Sequence, residues 1–276
     1  MRLGFNTNGL AHHDLVEAIE LLGEIGYQSV AITIDHGALN PFSDYGAQLK
    51  QVRSVLDRYH MRSVIETGAR FLLDPRTKHE PTLMAAEKEK RQVRLDFLCR
   101  AIDIAAQLSS DCVSCWSGIL REQLTEDEAV GRLVDGLEQV LEHADKRHVV
   151  IGFEPEPGMF IATMNDYQNL QTRLNAPLLK LTLDVGHLHC QGELPIAEHV
   201  LRWRERLVNV HIEDMRRGRH EHLMFGEGEM QFAPIIAALK QAEYQGGVHV
   251  ELSRHSHEGP DAARKAFEFL APLMKT

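Results

Sequence analysis

Residues 207–213 read LVNVHIE and residues 247–252 read GVHVEL, and these two stretches decide the fold. In an extended strand, successive side chains point to opposite faces. Val208, Val210 and Ile212 therefore share one face of the first stretch, with Asn209, His211 and Glu213 on the other. In the second, Val248, Val250 and Leu252 oppose His249 and Glu251. The same division recurs upstream. VVIGFE at 149–154 sets Val149, Ile151 and Phe153 against Val150, Gly152 and Glu154, and KLTLD at 180–184 sets Leu181 and Leu183 against Thr182 and Asp184. One face is apolar throughout, as packing against an outer helix requires. The other carries polar groups that gather at the C-terminal end of each strand.

Further strand-like runs lie at 2–6 (RLGFN), 29–35 (SVAITID), 62–66 (RSVIE) and 112–116 (CVSCW). Segments of helical period separate the eight runs, at 13–24, 44–59, 87–107, 124–146, 164–173, 195–204, 231–241 and 260–272. Strict alternation of strand and helix predicts a parallel sheet. Eight repeats predict an α/β fold closed as a single (β/α)8 TIM barrel, with residues 1–276 forming one domain, since no low-complexity linker divides the chain. An open doubly wound sheet is the competing architecture, but the first strand lacks the glycine fingerprint of dinucleotide-binding folds. In a barrel the polar face looks into the lumen, and active sites form at the C-terminal rim. Asn6, Asp35, Glu66 and Trp116 are the lumen-facing candidates from the first four strands.

Composition narrows the function classes. Of 276 residues, 43% are hydrophobic and 25% charged, as in an ordinary globular chain. A formal net charge of −10 argues against a general nucleic-acid binder, which needs a basic footprint. The opening MRLGFNTNGL lacks the pattern of a secretory signal, and no stretch approaches the ~18 apolar residues of a membrane span, so the expected compartment is the cytosol. The four cysteines show no disulfide framework, and the lone C-x2-C of Cys112 and Cys115 reads as small apolar strand residues.

Glu154, Asp184, His211 and Glu251 are each the last or nearly last inward residue of the four strands in the second half of the chain. Three carboxylates and an imidazole at one mouth repel one another unless a cation or protons intervene. Taken singly, each acid could cap a helix or pair with a rim arginine. All four at matching positions favour one divalent metal ion, and the mixed oxygen and nitrogen donors favour Mn, Mg, Co or Zn.

Four local patterns add to this: F-E-P at 153–155, L-D-V-G-H at 183–187, V-H-I-E-D at 210–214 and G-E-G at 226–228. In them the whole chain resembles the xylose isomerase-like barrels, which include ketohexose 3-epimerases, hydroxypyruvate isomerases, inosose dehydratases and an apurinic endonuclease. The resemblance implies that Glu154 and Glu251 are paired metal-binding glutamates that also move protons, and that Asp184 and His211 are the other ligands. It further implies that His187 hydrogen-bonds substrate oxygens and that Arg217 grips the substrate, with Arg216 and Arg219 close enough to blur that match. Glu66 and Trp116 complete the expected substrate-binding set, Trp116 either stacking on a sugar face or serving as a rim core residue.

The implied cofactor is one divalent ion, manganese foremost. The implied partner is a small carbohydrate-like substrate, with self-association left open. The C–H beside a carbonyl is weakly acidic, and an enediolate needs nearby positive charge, which a chelated metal provides. Two carboxylates on opposite faces then invert a stereocentre; one base acting alone gives aldose–ketose isomerisation; loss of a β-hydroxyl gives a dehydratase. The expected activity is a metal-dependent sugar isomerase or epimerase, with a dehydratase of inosose or dehydroshikimate type as the alternative. The endonuclease branch needs extra histidine ligands where this chain offers Asp35, His36, Glu66 and Trp116, which leaves that set incomplete.

Two segments are open to more than one reading. Thr67–Leu83, after the third strand, carries Arg70, Arg76, Lys78 and His79 and is a lid, a structural excursion or an oligomer contact. The basic run Met215–His220, with His222 beyond it, either holds a substrate anion or is a solvated loop. His12 and His13 read as the beginning of the first helical segment, and His143 and His148 as surface residues.

Overall fold

A computed structural model of the chain describes residues 1–275. Eight parallel strands close into a barrel: β1 (Arg2–Asn6), β2 (Ser29–Thr33), β3 (Arg62–Glu66), β4 (Val113–Cys115), β5 (Ile151–Phe153), β6 (Leu179–Asp184), β7 (Leu207–Ile212) and β10 (Gly247–Val250). Each pairs with its chain neighbours, and β1 closes the ring against β10. An antiparallel hairpin, β8 (Asp214–Arg216) and β9 (Arg219–Leu223), lies outside the barrel and follows β7. The helices are α1 (Leu15–Ile25), α2 (Gly46–Arg58), α3 (Lys88–Leu108), α4 (Glu126–Arg147), α5 (Met164–Leu174), α6 (Val185–Gln191), α7 (Ile196–Trp203), α8 (Phe232–Gln241) and α9 (Gly259–Lys275). None of the described helices is long and apolar enough to cross a membrane.

Local chemistry sets the helix starts. The carboxylate of Asp14 accepts from the Val16 and Glu17 N–H groups, so α1 begins after His12 and His13 rather than on them. A reciprocal capping box of Thr125 and Glu128 opens α4. The main core lies between the barrel wall and the helices, where Phe5, Ile19, Ile32, Ile65, Phe97, Phe153 and Tyr167 are fully buried.

The lumen is layered. Its floor is a small apolar cluster of Ala31, Val64 and Cys112, joined by Val150 and Val208. Val208 departs from the alternation expected of LVNVHIE. Leu181 pairs with Leu207 but Thr182 pairs with Asn209, so Val208 is an extra residue on β7. This bulge turns Val208 inward while leaving Asn209 and His211 in the lumen. Beside this cluster, Ser29 Oγ meets His249 Nε2 at 2.8 Å, and His249 Nδ1 meets Asn209 Oδ1 at 2.7 Å. Burial holds the His249 imidazole well below its usual pKa, so it is neutral and Nδ1–H donates to Asn209. The acids lie above this layer, at the C-terminal ends of the strands.

Candidate metal centre

Glu154 lies just beyond β5, Asp184 ends β6, His211 is the penultimate residue of β7, and Glu251 follows β10. One donor atom from each lies within 4.8 Å of the others. The Nδ1 atom of His211 is the hub: Glu251 Oε2 is 2.9 Å away, Glu154 Oε1 3.1 Å and Asp184 Oδ2 4.0 Å. Donors about 2.1 Å from a common ion are separated by roughly 3 Å, so these spacings fit a coordination shell with little rearrangement.

Each ligand is held by a neighbour. On the far side of the His211 ring, Nε2 lies 2.9 Å from Glu66 Oε1, which also accepts from Asn209 Nδ2 at 3.0 Å. An acid at the second nitrogen fixes the tautomer that leaves Nδ1 for a metal. Asn8 Nδ2 donates to Glu251 Oε1 at 2.8 Å. Asp184 Oδ1 caps α6 by accepting from the His187 N–H at 2.8 Å. L-D-V-G-H is therefore a strand end, a cap and a first helical turn, and it folds His187 back over the centre. Gly186 is required there, because a Cβ would lie 1.8 Å from Glu213 Oε1.

The electrostatics follow from crowding buried acids around one base. Burial alone would lower the His211 imidazole, but Glu154, Glu66 and Glu251 outweigh it and hold the ring well above its usual value. Burial pushes the Glu154 carboxyl up to about 8 against the pull of His211. Burial also opposes ionisation of Glu251, yet His211 beside it holds the carboxyl well below its ordinary range. Glu213 is fully buried, and its carboxyl is raised by burial and then by Asp184. A protonated Glu213 supplies a donor that Asp184 Oδ2 otherwise lacks among the described residues.

The centre opens into a cavity of about 790 Å³, a size suited to a small ligand. Glu66, Trp116, Glu154, His187, His211 and Glu251 all line it. Trp116 stands edge-on to His79, with ring centroids 5.2 Å apart, and the Arg94 guanidinium lies 5.4 Å from its ring centre. Arg217 is not brought to the cavity. It sits exposed at the tip of the β8–β9 hairpin, its side chain against Gly192. The alternation of β9 instead turns His220 and His222 to the cavity, and Arg254 lines it beside them. The segment read as a solvated loop or anion holder is thus a hairpin with two inward histidines. Its attachment explains the G-E-G pattern: the Asp214 carboxylate accepts from the N–H groups of Met215, Gly226, Gly228 and Met230. A Cβ on Gly228 would lie 2.2 Å from Asp214 Oδ1.

Thr67–Leu83 forms one wall of the cavity through Thr67, Gly68, Arg70, Phe71, Lys78 and His79. Asp35 faces the Arg70 guanidinium at 3.8 Å. Sequence reasoning missed Asn8, Glu156 and Arg254, and it named His220 and His222 only as part of a basic run that holds a substrate anion or is a solvated loop. Glu156 lines the cavity two residues after Glu154, and burial with three nearby acids raises its carboxyl well above the usual range. The repeat in F-E-P-E-P was the available signal for it. Cys112 and Cys115 are buried free thiols, raised by burial, as small core residues would be.

Comparison with known proteins agrees with this architecture. Residues 19–273 match the family model described as the xylose isomerase-like TIM barrel. The L-ribulose-5-phosphate 3-epimerase UlaE of Salmonella paratyphi C (strain RKS4594) is 24% identical over 201 residues, covering 72% of this chain and 70% of its own. The crystal structure of a D-allulose 3-epimerase from Methylomonas sp. superposes with a TM-score of 0.76 at 19% identity, covering 99% of this chain and 98% of that one. That of the IolI protein with a binding zinc atom gives 0.80 at 17% identity, covering 100% and 98%. The chain belongs to the xylose isomerase-like TIM barrel family.

Proposed function

We propose that this chain is a divalent-metal-dependent isomerase or epimerase that moves a proton beside the carbonyl of a small keto-sugar, with residues 1–276 acting as one domain. The observation that carries the reading is the meeting of Glu154, Asp184, His211 and Glu251 within 4.8 Å at the floor of the cavity. Three carboxylates and one imidazole, with no thiolate, suit a hard or borderline ion, manganese foremost and Mg, Co or Zn as alternatives. A bound ion supplies positive charge to the carbonyl oxygen and adjacent hydroxyl and so lowers the cost of an enediolate.

The remaining work falls to side chains. Glu154 and Glu251 each present one oxygen to His211 Nδ1, at 3.1 and 2.9 Å. One, ionised, takes the proton from one face of the carbon and the other, protonated beforehand, delivers its own proton to the opposite face, which inverts the centre. Asn8 fixes the Glu251 carboxylate through Oε1. His187, Glu66 and Trp116 meet the polar edge and the face of the sugar, and Arg254 and Arg70 replace Arg217 as the cations facing it. Relatives named as L-ribulose-5-phosphate and D-allulose 3-epimerases support a ketose as the substrate class.

Elemental analysis of purified wild type beside Glu154→Gln and Glu251→Gln, followed by NMR of solvent-deuterium uptake by a panel of free and phosphorylated ketoses, tests the reading. Loss of one ion per chain in the variants, with exchange at the carbon next to the carbonyl only in the wild type, is expected. Variants that keep the full metal content and the exchange activity overturn it. Release of water from a substrate, in place of exchange with return of the ketose, assigns the dehydratase.

A further inference from the structure

His249 is fully buried in the lumen, where an apolar side chain would cost less, and two glycines make room for it. A Cβ on Gly4, its pairing partner on β1, would lie 2.3 Å from the ring Cδ2, and a Cβ on Gly247 would lie 2.2 Å from Cε1. The ring is held at both nitrogens. Ser29 Oγ is 2.8 Å from Nε2 and Asn209 Oδ1 is 2.7 Å from Nδ1, and both partners are themselves fully buried.

Donor chemistry gives this chain a direction. Glu66 Oε1 stands 3.0 Å from Asn209 Nδ2. A carboxylate only accepts, so the amide nitrogen faces Glu66 and the amide oxygen faces His249. An amide oxygen also only accepts, so His249 Nδ1 carries the hydrogen and Nε2 is left as an acceptor for the Ser29 hydroxyl. The other acceptor within reach of that hydroxyl, the Arg62 carbonyl, is farther away at 3.3 Å. Hydrogen bonds therefore run from β2 through β10 and β7 to the Glu66 carboxylate on β3, where they meet the one arriving from His211 Nε2 at 2.9 Å. Among the described residues, only His249 touches the amide oxygen of Asn209. A turned amide would set Oδ1 against Glu66 Oε1, two acceptors in contact. It would also make Oδ1 a rival acceptor for the His211 Nε2–H, because the Asn209 amide nitrogen now stands 3.0 Å from that atom.

We propose that His249 is a positioning residue for the metal centre: by fixing the Asn209 amide it commits Glu66 to the His211 Nε2–H and so leaves Nδ1 for the ion. The proposal rests on the four-ligand reading and deepens it. His249 makes no hydrogen bond to any of the four ligands and acts through Asn209 and Glu66. An acid held at the second nitrogen of a ligating imidazole orients the ring and raises its basicity. A ring that merely filled the lumen would make the same contacts, but its loss would leave the affinity of the folded protein for an ion unchanged.

The test is manganese binding by metal-free full-length protein, read from the free-ion signal in electron paramagnetic resonance, in wild type, His249→Leu and His249→Asn. The asparagine amide nitrogen stands where Nδ1 stood and keeps the donor to Asn209, whereas leucine has a similar shape and no donor. His249→Leu is expected to bind about 10-fold more weakly, the lower end for a lost outer partner, at unchanged stoichiometry, and His249→Asn to recover most of that affinity. Equal affinity in all three proteins overturns the proposal and leaves the four-ligand centre standing. Equal weakening in the two variants overturns it too, since ring volume and not the donor would then be the cause. Wild type that takes up none of manganese, magnesium, cobalt or zinc overturns the underlying reading, and the proposal with it. Should His249→Leu misfold, NMR of wild type carrying isotope-labelled histidine decides: a hydrogen on Nδ1 of His249 and on Nε2 of His211 supports the chain, and a hydrogen on Nε2 of His249 overturns it.

Discussion

Glu66 touches His211 from the side away from the other acids, and that position gives it a task distinct from theirs. Its Oε1 lies 2.9 Å from Nε2 and keeps the proton there, while Glu154 and Glu251 face Nδ1. Replacing it with Gln removes the charge while keeping the size. The amide then competes with Asn209 Nδ2, which donates to the same oxygen. Loss of such an outer acid typically weakens metal binding about 10–100-fold. Competition with a chromophoric chelator is expected to show that weakening for Glu66→Gln with unchanged stoichiometry; an affinity within a factor of two of wild type would mean that Glu66 does not tune His211 and serves the substrate alone. At this scale the sequence was informative. Strand alternation alone put Glu66 and the four ligands on the lumen face. It could not show Asn8, which reaches Glu251 from a 3-10 turn after β1, because that contact joins residues 243 positions apart.

The elements tell a mixed story. All eight strands and their order were legible, since period-2 runs and intervening helices are local patterns. The bulge at Val208, the short α6 and the β8–β9 hairpin were not, because each depends on tertiary partners: Thr182 on the neighbouring strand β6, Glu213 under Gly186, and Asp214 at the centre of four N–H groups. The hairpin matters most, for it carries Arg217 outward and His220 and His222 inward. The wall formed by Thr67–Leu83 depends on a buried cation of the following helix. Arg94, in α3, donates from Nε to the Pro81 carbonyl at 2.7 Å and from Nη2 to the His79 carbonyl at 2.5 Å. Burial lowers its guanidinium to about 10, which still leaves it charged at neutral pH. Arg94→Met fills similar space but strands those carbonyls, at a cost of roughly 3 kcal/mol for charge-assisted bonds and their buried acceptors. Urea denaturation is expected to show that loss, with faster proteolytic cleavage within 67–83 and a raised KM at unchanged metal content. A loss below about 0.5 kcal/mol, the range of ordinary surface changes, would show that the wall holds itself.

For the molecule as a whole, the crowded centre makes stability depend on pH and on metal together. Glu154 and His211 both titrate above their ordinary values in the folded, metal-free protein. A group whose folded pKa is raised binds more protons in the native state, so its stabilisation is complete below the unfolded pKa and is lost as pH rises through the folded one. For Glu154 that window runs from about 4.5 to about 8, and for His211 it begins near 6.5. Asp184 and Glu251, held below their ordinary values, act oppositely, but their windows lie on the acid side. The metal-free protein is therefore expected to lose stability as pH rises from about 5 to 8, beneath any background trend from the rest of the chain. A bound ion supplies the missing positive charge, displaces the His211 proton and should flatten that slope. At a free concentration 100 times its Kd the ion adds about 2.7 kcal/mol, a rise in Tm of roughly 5–10 °C at the 2–4 °C per kcal/mol usual for chains of 150–250 residues. Scanning calorimetry from pH 5 to 8, with chelator and with manganese, separates these effects. Two curves that converge at pH 5 and diverge toward pH 8, and that collapse together in Glu251→Gln, support protons and metal competing for one centre. Parallel curves would mean that the ion binds away from His211, and the electrostatic logic that joins the four residues would fail with them.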